Sequence, residues 1–102
     1  MFSLKIHESS QGKILAACDK EILGKTFQEK VGNENICLSL TEEFYYSDFV
    51  SLETILNKLE SATVANLVGK LLISELLKKD IIKKSEINQV NEVPHVQIFF
   101  LE

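Results

Sequence analysis

Phe2, Leu4 and Ile6 alternate with Ser3, Lys5 and His7, the period-two signature of a strand with one buried face. Ser9-Ser10-Gln11-Gly12 is a turn cluster, and Lys13 to Cys18 reads as the returning strand of a hairpin. If that loop has four residues, Glu8 faces Lys13, Ser3 faces Cys18 and His7 lies opposite Ile14, away from Cys18. Further along, Ile36, Leu38 and Leu40 alternate with Cys37 and Ser39 as another strand, after a loop tip at Lys30 to Asn35. Ile87 to Val90 reads as a short strand. Pro94 then opens a terminal strand, with Val96, Ile98 and Phe100 on one face and His95, Gln97 and Phe99 on the other.

Between the strands the period changes. Asp19 is suited to cap a short turn over Lys20 to Leu23, with Gly24 as its left-handed stop. Glu43-Phe44-Tyr45-Tyr46 fits either an extension of the sheet or the start of a crossover. Ser51 is a good N-cap, and Leu52, Ile55, Leu56 and Leu59 make one apolar face of a short helix. From about Ala62 to Lys79 a second helix is expected, with Asn66, Lys70, Ser74 and Lys78 as its narrow polar stripe. Ala62, Ala65 and Gly69 would form a small-residue edge on it. The whole chain reads as one α+β domain over residues 1–102: a mostly antiparallel or mixed sheet with an N-terminal hairpin, packed against two consecutive helices and ending in a strand.

Composition narrows the class. The chain has 102 residues, 45% hydrophobic and 25% charged, as one globular core requires. No secretion signal is visible, and no apolar run approaches the roughly 18 residues of a membrane span. A cytoplasmic location, with no membrane partner, is therefore expected. The net charge is −4, and all 11 basic residues are lysines. Without guanidinium forks, base-edge reading of DNA sequence is not expected. From Lys70 to Lys84, five lysines meet only Glu75 and Asp80, on an otherwise acidic chain. Lys70, Lys78, Lys79, Lys83 and Lys84 are thus candidates for RNA contact, against the plainer reading of a solvated helix end.

Asp19 to Thr26 has the Gly-Lys-Thr end of a phosphate-binding loop, but Asp19 stands where its first glycine belongs. A turn and cap is the better reading. Cys18 and Cys37 lack the C-x-x-C spacing of redox or zinc motifs, and reduced thiols are expected in a cytosolic chain. Cys18 with His95 is the pair that suggests a nucleophile and base, yet Asp19 beside Cys18 would raise the thiol pKa. Neither cofactor nor metal is expected, since His7, Cys18, Asp19, Glu43 and His95 are scattered singly. His95 and Gln97 share one strand face, about 7 Å apart, and both donate and accept hydrogen bonds.

Four segments in order carry a resemblance: Cys18 to Phe27, Glu43-Phe44-Tyr45, Ala62 to Gly69, and Val93 to Ile98. Together they resemble domain-of-unknown-function family 424. The resemblance implies a small archaeal cytoplasmic protein, associated with translation and RNA processing, and it transfers no catalytic residues. Two turns depart from the family pattern, Tyr46-Ser47 and Asn91-Glu92, where glycines are expected. Asn91 can still take a left-handed conformation.

The expected function is a non-enzymatic binding or adaptor module with a protein or ribonucleoprotein partner. The alternative is a small enzyme using Cys18 and His95, with or without a metal. Candidate binding residues are Asp19, Lys25, Glu43, Tyr45, Asn66, His95 and Gln97. Asp19, Lys25, Asn66 and His95 are expected to gather on one face.

Overall fold

The alternation at the N-terminus builds β1 (Phe2–Ser9), and the Gly12 turn returns the chain as β2 (Gly12–Asp19). Their register is the expected one, pairing Ser3 with Cys18, His7 with Ile14 and Glu8 with Lys13. After a 3-10 turn at Lys20–Ile22 come β3 (Thr26–Val31) and β4 (Glu34–Ser39), a separate two-stranded hairpin. Gly24 there has a φ of 84°. The expected loop tip shrinks to Gly32 and Asn33. Next are α1 (Glu42–Tyr45), β5 (Asp48–Val50), α2 (Leu52–Leu59), β6 (Val64–Val68), α3 (Lys70–Lys78), β7 (Asn88–Val90) and β8 (Val93–Phe99). This computed structural model describes residues 1–100, so Leu101 and Glu102, the end of the expected 1–102 unit, lie outside the described residues.

The fold is α+β, and its main sheet is mixed, in the order β5-β1-β2-β6-β8-β7. β2 and β6 run parallel, and the other neighbours are antiparallel. Alternation assigns each side chain to a face. Leu4, Leu15, Ala17, Ala65, Leu67 and Val96 point to α2 and α3 and build the larger core with Ile55, Leu72, Ile73 and Leu76. Ala16, Cys18, Val68 and Val93 point the other way, into a smaller core with Leu40 and Tyr45. Ser51 caps α2 as expected, its Oγ accepting from Thr54 N–H at 3.3 Å.

The helix expected over Ala62 to Lys79 is a correction. Its first part is strand β6, and the helix begins only at Lys70. Val64 and Val68 are β-branched and favour a strand, and Gly69 has a φ of 120°, outside any helix. The small-residue edge therefore does not exist: Ala65 packs into the larger core, and Gly69 is the hinge between strand and helix. Asn66 is a strand residue.

Asp19 is the second correction. It precedes the expected turn, but its side chain makes no capping bond there. Its carboxylate instead accepts from Leu71 N–H at 2.9 Å and Leu72 N–H at 2.8 Å, capping α3 from the end of β2. Two of the orphan donors of that helix are satisfied this way. A Cβ at Gly69 would collide with this carboxylate. At the β7–β8 turn, where glycine was expected, Asn91 and Glu92 both have positive φ, 48° and 68°. Asn91 N–H donates to Glu29 Oε1 at 2.8 Å, which ties the β3–β4 hairpin to this turn.

The junction predicts a coupled pair of substitutions. Asp19→Ala should cost about 1–2 kcal/mol through the lost cap. Gly69→Ala should cost about 2 kcal/mol or more, through collision and strained φ. In urea unfolding, the double variant should lose less than the sum, because removing the carboxylate removes the collision. Strict additivity would show that the two residues do not press on one another.

Candidate functional site

Strand β1 turns three polar side chains, Ser3, Lys5 and His7, toward α1. A four-residue helix leaves its last carbonyls without partners of its own. Those side chains supply them. Lys5 Nζ donates to Glu43 O at 2.6 Å, His7 Nε2 to Phe44 O at 2.8 Å, and Ser3 Oγ to Tyr45 O at 2.6 Å. Since a carbonyl only accepts, His7 carries its proton on Nε2. Its ring also stacks on Phe44, with centroids 4.6 Å apart. Just beyond, Ser47 N–H and Oγ both donate to Leu4 O at 2.9 Å. Thr41 caps the front of α1, its Oγ1 accepting from Phe44 N–H at 3.3 Å. So pinned, α1 sends Tyr45 down against Cys18 and Val68.

Tyr45 is one wall of a cleft of about 400 Å³ on this face of the sheet. β6 contributes Asn66 and Val68, β8 contributes His95, Val96 and Gln97, and Leu38, Glu86 and Asn88 complete the lining. Asn66 and Gln97 are directly opposed across β6 and β8, and His95 is opposed to Val68 and Asn88. Asn66 and His95 thus share a face, as expected.

Tyr45 Oη, the Asn66 and Gln97 carboxamides and the His95 ring have no hydrogen-bond partner among the described residues. Every fully buried side-chain nitrogen or oxygen there does have one. These four groups therefore stay open to the cleft. Burial, with Cys18 second, pushes the Tyr45 phenol up to about 12. Burial also holds the His95 imidazole below its ordinary 6.5. At neutral pH the phenol is a donor and the imidazole offers one donor and one acceptor. Glu86 is the formally charged residue of the lining, and its Oε1 already accepts from Lys83 N–H at 2.7 Å.

The other expected site residues lie elsewhere. Asp19 and Lys25 share a second cleft, of about 420 Å³, with Lys70 and Asn91. The gathering of Asp19, Lys25, Asn66 and His95 in one site is thus corrected to two pairs. Asp19 alternates with Cys18, so it belongs to the helix face, where its carboxylate serves α3. Glu43 is exposed on α1, and it is its carbonyl that is engaged. Lys70, Lys78, Lys79, Lys83 and Lys84 are all exposed. Lys78 pairs with Glu75 at 3.5 Å, and Lys70 and Lys84 flank a groove beside α3. Sequence reasoning missed Leu38, Glu86 and Asn88. The signal for Asn88 was its place, two residues before Val90 in a strand that pairs with His95.

Neither enzymatic arrangement considered above forms. Cys18 is fully buried, and Val68 stands between it and His95 in the sheet. Burial, with Asp19 second, pushes the Cys18 thiol up to about 12. The Gly24-Lys25-Thr26 segment runs into strand β3, so no helix N-terminus follows to hold a phosphate. Among the described residues, no three His, Cys, Asp or Glu side chains come together as a metal site. None of the described helices is long and apolar enough to cross a membrane.

The chain matches the family described as protein of unknown function, DUF424, over residues 6–101. It belongs to that family. The fold is similar to the crystal structure of an uncharacterized conserved protein from Methanopyrus kandleri. That likeness has a TM-score of 0.75 and 26% sequence identity, and covers 99% of this chain and 97% of that one. No curated protein matches the chain. In this DUF424 protein, Asn91 and Glu92 form the β7–β8 turn with left-handed backbone, and Ser47 is held by its bonds to Leu4 O.

The two thiols give a direct check. At pH 8, iodoacetamide should alkylate exposed Cys37 quickly and leave Cys18 unmodified until the protein unfolds. Mass spectrometry of the folded protein reads this, and rapid modification of Cys18 would restore the thiol-enzyme alternative.

Proposed function

We propose that this DUF424 chain is a non-enzymatic binding module. It acts in the cytoplasm in archaeal information processing, translation or RNA-associated, and engages a protein or ribonucleoprotein partner. One observation carries the binding reading: Tyr45, Asn66, His95 and Gln97 turn four unpartnered hydrogen-bonding groups into one cleft. Open to the cleft, these groups bond water, and a ligand whose own donors and acceptors match their positions replaces that water with direct bonds.

The ribonucleoprotein part rests on charge. The lysines between Lys70 and Lys84 project from α3 and the segment after it, and Lys78 alone among them pairs with an acid among the described residues. Cations held free on an acidic chain lower the cost of approaching a polyanion.

Capture from native extract separates the two surfaces. Wild type, Asn66→Leu/Gln97→Leu, and Lys78→Gln/Lys79→Gln/Lys83→Gln/Lys84→Gln would be compared, with bound protein and RNA both identified. The cleft variant should lose the partner at all salt concentrations. The lysine variant should bind more weakly at low salt, with a flatter salt response. Capture of the same partners in the same amounts by all three proteins would overturn the proposal.

A further inference from the structure

The chemistry of the cleft narrows what it can receive. Among its lining residues the formal charge is negative, from Glu86, and none of the lysines lines it. A phosphate or carboxylate would enter against that charge, with no cation to meet it. What the cleft offers instead is neutral donors and acceptors over an apolar floor of Val68 and Leu38.

The arrangement of those groups is equally restrictive. Asn66 and Gln97 are opposed on neighbouring strands, so their carboxamides stand about 5 Å apart at the stem. His95 follows two residues away on the strand of Gln97, and Tyr45 faces them from α1. Carboxamides pair bidentately with a planar edge that carries a donor beside an acceptor. β6 is paired on both sides, whereas β7 covers β8 only at Val93, Pro94 and His95, so the outer edge of β8 is free beyond His95. A peptide strand added at that edge would lie in the plane of the sheet and leave the Asn66 and Gln97 carboxamides, which stand out of that plane, without a partner. A volume of about 400 Å³ also exceeds what one carboxamide would fill.

Resting on the binding reading above, we propose that the cleft takes an uncharged nucleobase, its polar edge on Asn66, Gln97 and His95 and its faces against Tyr45 and the apolar floor. The sugar and any phosphate stay outside. Lys83 and Lys84 stand outside too, at the start of the 3-10 turn that ends with Glu86 at the wall of the cleft. A base inside with its phosphate outside is therefore compatible with both surfaces.

NMR titration of the labelled protein at pH 7 tests this, using the four ribonucleosides, inorganic phosphate and N-acetylglycinamide as separate probes. At least one nucleoside should shift the side-chain resonances of Asn66, Gln97 and His95 saturably, and phosphate should leave them still. Gln97→Leu, a change at an exposed position, should keep the backbone spectrum and weaken that nucleoside by about tenfold. Silence towards every nucleoside at millimolar concentration would overturn the proposal. So would phosphate moving the same resonances, or N-acetylglycinamide saturating below the nucleosides, which would assign the cleft to peptide groups. If nucleosides are silent while capture still depends on Asn66 and Gln97, base recognition falls and the binding role stands.

Discussion

The Asp19 carboxylate, pressed against Gly69, is the joint on which the architecture depends. It closes strand β2, and it accepts from two free amides in the first turn of α3, at 2.9 and 2.8 Å. β2 and β6 are parallel neighbours, so their ends emerge on the same side of the sheet. Only a residue without a side chain fits at position 69 beside that carboxylate, and its φ of 120° turns the chain abruptly from strand to helix. α3 is thereby committed to one face. The opposite face of β6 and β8 is left to α1 and the β3–β4 hairpin, which cover it incompletely. The cleft lies where they stop.

A second set of contacts determines what the cleft contains. Ser3, Lys5 and His7 each hold one carbonyl of α1, so a helix of four residues becomes a fixed platform for Tyr45. The contrast with the neighbouring polar groups is informative. On β1, every polar side chain facing α1 has a partner, and its role is structural. On β6 and β8, the polar side chains of the same face have none. Fold stability accounts for the first group and not for the second, which is why the second carries the proposed binding role.

Much of the architecture was legible in the chain, and its errors have physical causes. The first hairpin was readable down to its register, because strict alternation and a tight turn leave one consistent pairing. The face shared by His95 and Gln97 followed from the same period. The stretch from Ala62 to Gly69 was misread because Asn66 stands four residues before Lys70, extending a true helical stripe backwards into a strand. Its two valines and its glycine argued for a break, and the glycine marks where the break falls. The role of Asp19 could not be read locally. Its partners are Leu71 and Leu72, and no short-range pattern links a residue to amides in a distant helix. The four-residue α1 was equally hidden, since most of its fixing bonds come from β1 rather than from its own sequence. Of the residues expected at a site, Tyr45, Asn66, His95 and Gln97 come together, whereas Asp19, Lys25 and Glu43 do not join them.

The central claim is that the polar lining of the cleft is maintained for a ligand and not for the fold. Equilibrium unfolding in urea of the Tyr45→Phe/Asn66→Leu/Gln97→Leu variant tests it most directly. Groups with no partner in the protein contribute nothing when removed, so the variant should equal or exceed the parent in stability. A loss of more than about 1 kcal/mol would mean that these groups are satisfied within the fold, and would contradict the account.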